Sequence, residues 1–347
     1  PTPRKCRATR WSRRFIDSSN MTPKTLQKPL EGSISSLFVL KAIAAFCVVV
    51  IHYPLAFRYE FYPLIYTAVP LFFVITGYFL YKEDHTAIIN SCKKQLRKIV
   101  RITLIASLVY YIYKVIISYL SGGGFIPPFY SIYDVIIWIV FGFNFSGPLW
   151  YMTALCWSLL IIMILYKLGW QKLLYLTPLS FILYNIVLAY PLRDISIPWY
   201  FETNFISSGL PWISVGIFIK KNEQRINQLF STTAIWITLA ITLALRYIEQ
   251  YCFVGAEPRA LINVPLVIIL FILCLRYKSF GENSVIANLG RKHSTNIYLY
   301  HSLVGGAILF ICSSLGVAIP DPICALVVYP LTLLLSIVIV KFTSRAA

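Results

Sequence analysis

Two ionisable side chains, Lys41 and His52, stand eleven residues apart inside one apolar run, Ser36 to Phe57. Eleven residues make almost three turns of α-helix, so both side chains lie on one face, roughly 16 Å apart along the axis. Ionisable groups at membrane depth are costly and mark a site by default. A cation at one end can hold an anion. An imidazole at the other, with an unperturbed pKa of about 6.5, can serve as general base or as nucleophile. The plain alternatives are a lysine snorkelling to one interface and a histidine wetted at the other.

Further candidates lie along the chain. The segment KKQLRKIVR holds Lys93, Lys94, Arg97, Lys98 and Arg101, and several of these share a helix face by their three- and four-residue spacing. Such a face at a membrane surface can hold phosphates, or can be an ordinary basic anchor. Thr76, Gly77 and Tyr78 sit in VPLFFVITGYFLY, where a glycine admits close approach of a ligand or simply of another helix. Trp150 and Tyr151 open a later apolar run and also suit an interfacial aromatic belt. His301 is a second intramembrane imidazole, with Asn296, Tyr298 and Tyr300 beside it, roughly 10 Å in from the start of its run. Its bland role is a structural hydrogen bond. Asp134, Arg193, Asp194, Glu202 and Glu257 fall in connections on the other side, either lining an acceptor site or solvated.

The elements that must position these residues are membrane helices. The 347-residue chain is 58% hydrophobic and only 13% charged, with a mean hydropathy of +0.72. Soluble domains are about 25% charged. Spans are expected near 36–57, 64–81, 99–120, 149–167, 172–190, 204–220, 232–248, 260–276, 294–315 and 323–341. Ile132 to Phe143 is too short to cross and reads as an interfacial or re-entrant piece. The fold class is therefore all-α, a polytopic integral membrane protein of about ten transmembrane helices plus one short helix.

Charge orients it. Of the 31 Lys and Arg, 25 fall in the N-terminal tail, the even-numbered connections and the C-terminus. The opposite connections hold only Arg58, Arg193, Arg246 and Arg259, while Lys41 and Lys114 lie within spans. The positive-inside rule puts both termini in the cytoplasm. Lys41 then lies toward the inside and His52 toward the outside. The net charge of +18 is thus a topology signal and calls for no nucleic-acid partner. Residues 1–35 read as a basic cytoplasmic tail, of which 1–20 are either a disordered arm or sequence upstream of the true start, the second favoured. Residues 36–342 form one transmembrane domain, and 343–347 a short cytoplasmic tail.

Several chemistries lack their residues. The eight cysteines are scattered without a CxxC pair, so neither a zinc site nor a disulfide framework is expected. There is no GxSxG, HExxH, Walker A or GxGxxG in a plausible context. Paired intramembrane carboxylates and internal repeats, expected of pumps and many transporters, are missing too.

Taken in order, these motifs resemble the membrane acyltransferase-3 family of bacterial O-acyltransferases. The resemblance rests on Lys41 through His52, on VPLFFVITGY, on Arg97 to Arg101, on Leu149-Trp150-Tyr151-Met152, and on Leu289 to His301. Departures are Lys41 and Lys98 where the family more often has Arg, Thr76 for Ser and Asn296 for Gly. The resemblance implies transfer of an acyl group, acetyl first, from cytoplasmic acyl-CoA to a hydroxyl of a glycan or lipid-linked sugar, in the bacterial cytoplasmic membrane. It assigns catalysis to His52 with Lys41, and donor phosphates to Arg97, Lys98 and Arg101. Thr76, Tyr78, Trp150, Tyr151, Asn296, Tyr298 and His301 become pocket candidates. No metal and no permanently bound cofactor are implied; acyl-CoA is a co-substrate. The competing readings are a transporter or flippase for a glycan or small polar solute, and a structural membrane subunit.

Overall fold

The computed structural model describes residues 34–184, 198–254 and 260–343, and these are helical with no strand among them. Of the tails expected at 1–35 and 343–347, residues 1–33 and 344–347 lie outside the described residues.

The central element is α1, Ser35–His52, which packs against α3 (Ala68–Leu80), α12 (Asn263–Arg276), α13 (Val285–Lys292), α14 (Ser294–Ser314) and α15 (Cys324–Thr343). Its end is set locally. Pro54 disfavours a helical residue before it. Tyr53 is accordingly extended, at φ −125° and ψ 129°, and the helix stops at His52 rather than running on to Phe57. The imidazole therefore sits on a terminal turn.

Between α1 and α3 lies α2, Arg58–Ile65, and a break at Tyr66–Thr67 separates it from α3. Lipid offers little drive for helix association, so close backbone packing must supply it. The pairing of α3 with α9 (Leu210–Lys221) shows how. A Cβ on Gly77 would lie 2.0 Å from the Ile213 carbonyl oxygen, and one on Gly216 would lie 2.1 Å from that of Val74. Each glycine receives the other helix's backbone.

Helix α4, His85–Leu120, has 36 residues and is about 54 Å long. Hydropathy marks where this helix enters lipid, near residue 99, but not where it begins. The Asp84 carboxylate caps it by accepting from the Thr86 and Ala87 amides, and the basic cluster is part of the same continuous helix. It pairs with α6, Leu149–Lys167. Short α5, Ile132–Phe141, lies between their far ends, opened by a Ser131–Asp134 capping box and closed by Gly142 at φ 79°. Asp134 is thus a capping residue. Lys114, the other lysine within a span, donates to the Asn144 carbonyl after α5.

The short helices α7 (Leu179–Tyr184) and α8 (Trp199–Glu202) precede a π-turn at Phe205–Gly209 that leads into α9. Helix α10, Glu223–Leu229, turns the chain into α11, Thr232–Glu249, which packs on α12. Seven helical stretches of the described residues are long and apolar enough to cross a membrane. Of the other expected spans, 204–220 and 260–276 are shorter helices. The stretch 172–190 is broken at Thr177–Pro178, and its residues beyond 184 lie outside the described set.

Backbone hydrogen bonds from Ala56 to Pro322 and from Ala325 to Pro54 join the end of α1 to the start of α15. The start of α1 and the end of α15 therefore share the opposite end of the bundle.

Candidate active site

Helix α1 carries its two ionisable residues into two separate cavities. Lys41 lines one of about 260 Å³, with Thr76, Gln95, Lys98, Tyr151 and Tyr298. His52 lines another of about 310 Å³, with Trp150 and Tyr298. Tyr298 faces both. Its ring stands 4.7 Å from Tyr151 and 5.8 Å from Phe72, and Tyr151 stands 4.6 Å from Phe73. These four rings form a layer between the two chambers.

The chambers differ in kind. The Lys41 chamber holds two cations and the neutral polar side chains of Thr76, Gln95 and Thr295. Lys41 Nζ also stands 6.0 Å from the centre of the Phe72 ring. The His52 chamber is walled by Trp150, Trp199, Trp212 and Phe73. Its polar groups are the Glu202 carboxylate, the Asn263 amide and the hydroxyls of Thr203, Ser207 and Ser208. Aromatic walls with a few convergent polar groups are the ordinary make-up of a small-molecule site.

At the edge of this second chamber His52 meets His301, ring centroids 4.9 Å apart. His301 is fully buried, and its Nδ1 lies 2.6 Å from the Tyr298 carbonyl oxygen. A carbonyl only accepts, so Nδ1 carries the proton and donates it. The other nitrogen, Nε2, is then a lone pair, and it has no hydrogen-bond partner. His301 can therefore accept a hydrogen bond from a group brought against it.

The segment of α14 around His301 is pinned by tyrosines. The Tyr110 hydroxyl of α4 donates to the Leu299 carbonyl at 2.8 Å and accepts from the Leu303 amide at 3.2 Å. An α-helix would join that carbonyl and amide to each other. Tyr110 thus engages the helix at the turn that carries His301. The Tyr53 hydroxyl reaches the Ser302 carbonyl at 3.4 Å, and its ring fills the space beside Gly305, where a Cβ would come within 2.1 Å of it.

Some expected site residues are not brought in. Gln95, Lys98, Ile99 and Ile102 share the face of α4 toward Lys41, at a spacing of three and four. Arg97 and Arg101 fall on a different face and line an open groove with Leu96, Val100 and Leu104. The basic cluster is split because 100° separates neighbouring residues on a helix, so Arg97 and Arg101 do not line the Lys41 cavity with Lys98. Tyr78 lines neither chamber. Two residues beyond Thr76, it points instead at Glu223. Asn296 is half-buried on α14 and lines neither chamber.

Around Glu223 the Tyr78 hydroxyl and the Lys220 ammonium donate to one carboxylate oxygen, at 2.9 and 2.8 Å, and Lys278 donates to the other at 2.6 Å. Burial pushes this carboxyl up, but the three hydrogen bonds outweigh it and hold its pKa at about 2. The cluster ties α3 to the α9–α10 corner and to the turn after α12.

Sequence reasoning missed Gln95, although its spacing from Lys98 was a usable signal, and missed Tyr110, for which no signal existed. Glu202, left open between solvent and an acceptor site, lines the His52 chamber. Arg193, Asp194 and Glu257 lie outside the described residues. No three His, Cys, Asp or Glu side chains gather as a metal site among the described residues.

Helical spans enclose two chambers, one lined by Lys41 and Lys98 and one lined by His52 with His301 against it, in a multi-pass membrane protein. The acyltransferase-3 family model, described as an acyltransferase domain, matches residues 34–341, and the chain belongs to that family. It is a membrane acyltransferase, which sets aside the transporter and structural-subunit readings. No curated protein and no solved structure matches it.

Proposed function

We propose that this protein transfers an acyl group, acetyl in the first instance, from acyl-CoA to a sugar hydroxyl of a glycan or lipid-linked precursor. The observation that carries the reading is the paired imidazole at the wall of an aromatic chamber, on the same helix face as a cationic chamber some 16 Å away. Lys41 and Lys98 would hold the donor's phosphates on the cytoplasmic side of a bacterial plasma membrane. The pantetheine arm would follow α1 and bring the thioester past Tyr151 and Tyr298 to His52. A pyranose suits the second chamber, with its C–H faces against Trp150, Trp199 or Trp212 and its hydroxyls on Glu202, Asn263 and the serines.

In the step itself, His52 takes the proton of the acceptor hydroxyl as its oxygen attacks the thioester carbonyl. The C–S bond breaks, and the departing CoA thiolate recovers the proton from the imidazolium. His301 Nε2 accepts from His52 and stabilises that imidazolium, a positioning role. A covalent route, with His52 accepting the acyl group first, uses the same residues and would leave an acyl-imidazole intermediate.

The test is transfer of isotope-labelled acetyl from acetyl-CoA by the membrane-reconstituted protein, with glycan products read by mass spectrometry. Wild type should mark the glycan, and His52→Ala should lose about 10²- to 10⁴-fold in rate while remaining inserted. Undiminished transfer by that variant would overturn the assignment.

A further inference from the structure

Arg97 and Arg101 stand one turn apart on the face of α4 that turns away from Lys41. Both are exposed, and neither forms an ion pair among the described residues. With Leu96, Val100, Leu104 and Ile105 they line an open groove of about 610 Å³. This groove runs into a second one of about 330 Å³ that shares Leu96, Val100 and Leu104 and is bounded by Trp138, Trp157 and Leu160.

The second groove exists because α5 is short. Ten residues span about 15 Å, half of a hydrocarbon core of about 30 Å. Beyond the end of α5, the described residues that line the groove come from α4 and α6 alone. The tryptophan N–H groups are used within the protein, Trp138 donating to the Ser107 hydroxyl at 3.2 Å and Trp157 to the Ile139 carbonyl at 3.0 Å. The gap is therefore lined mainly by apolar side chains, with Thr103, Thr153 and Cys156 among them, and two guanidinium groups stand at its mouth.

We propose that this gap binds one anionic glycerophospholipid, a fatty-acyl chain between α4, α5 and α6 and its phosphate on Arg97 and Arg101. Charge selects the head group. No carboxylate lines either groove among the described residues, so nothing there balances the cation of a zwitterionic lipid. Two forks separated by a rise of about 6 Å suit one phosphodiester, since guanidinium presents paired donors to phosphate oxygens. The lipid would complete the wall that α5 leaves open, on the side of α4 opposite the donor chamber.

The trial uses the full chain in phosphatidylcholine vesicles doped with a small fraction of chain-brominated lipid, and reads tryptophan fluorescence. Trp157→Phe identifies the signal that belongs to the groove. Brominated phosphatidylglycerol should quench that signal at a dose on the order of tenfold lower than brominated phosphatidylcholine. The preference should vanish in Arg97→Ala/Arg101→Ala and return in Arg97→Lys/Arg101→Lys, which restores charge in a folded background. Equal quenching by the two lipids in wild type, or a preference that survives the double alanine variant, overturns the proposal.

Discussion

The Lys41 and His52 chambers lie on one face of one helix, yet they differ in almost every physical respect. One is cationic and opens toward the basic end of the bundle. The other is aromatic, with a carboxylate, hydroxyls and the His52 imidazole, which rests against the buried His301 ring. A layer of four rings stands between them, and one of those rings, Tyr298, is shared. The contrast suggests a division of labour along α1, in which one end binds charge and the other moves a proton. The same helix fixes the distance between the two tasks.

That division can be broken from either side, and the largest effect after loss of His52 itself is expected at its partner. His301→Ala should lower kcat by about 100-fold and leave the KM for acyl-CoA unchanged, because the donor chamber is untouched. Steady-state kinetics on reconstituted protein decides this, and a raised donor KM with normal kcat would mean that the chambers are not separate.

On the cationic side the signature should invert. Lys41→Ala and Lys98→Ala should each raise the acyl-CoA KM roughly tenfold, the scale of one charge-assisted hydrogen bond, with a much smaller change in kcat. Arg97→Ala should leave that KM unchanged, since Arg97 lies outside the chamber. Titration of the donor at saturating acceptor separates the three variants.

The smallest effect belongs to the Glu223 cluster, which braces the bundle and touches neither chamber. Tyr78→Phe should cost about 1 kcal/mol of stability and leave kinetics unaltered. The carboxyl is held at about 2 in the folded protein, below an unfolded value of about 4.3. Its contribution is therefore complete above pH ~4.3 and is lost as pH falls toward 2. Thermal unfolding of the solubilised protein between pH 6 and 3 should show this loss in wild type and a smaller one in Glu223→Gln.

How far the sequence could be read differs between residues. The helix-face arithmetic on Lys41 and His52 held because it depends only on helical rise and twist. The same arithmetic applied to Lys94, Arg97, Lys98 and Arg101 was too coarse, since residues three and four apart can still straddle the boundary between two faces. Only the cavity that Lys98 shares with Lys41 sets it apart from the two arginines. Tyr78 was drawn into the site by its place beside Thr76 and Gly77, but the donors gathered on Glu223 come from distant parts of the chain. Counting along each helix set His52 toward the outer end and His301 roughly 10 Å in from the inner side. In the structure the two rings stand 4.9 Å apart.

By itself, then, the sequence determined the properties that follow from the backbone and its solvent. Long apolar runs must become helices in lipid, where every amide needs an internal partner. Pro54 must end α1 near His52, and eleven residues must place Lys41 and His52 on one face. Tertiary structure alone decided which side chains meet across helices. It put Tyr110 against the turn of α14 beneath His301, joined α3 to α9 through two glycines, and closed the layer of rings between the chambers. Those contacts depend on close packing between segments far apart in the chain, which no local pattern in it records.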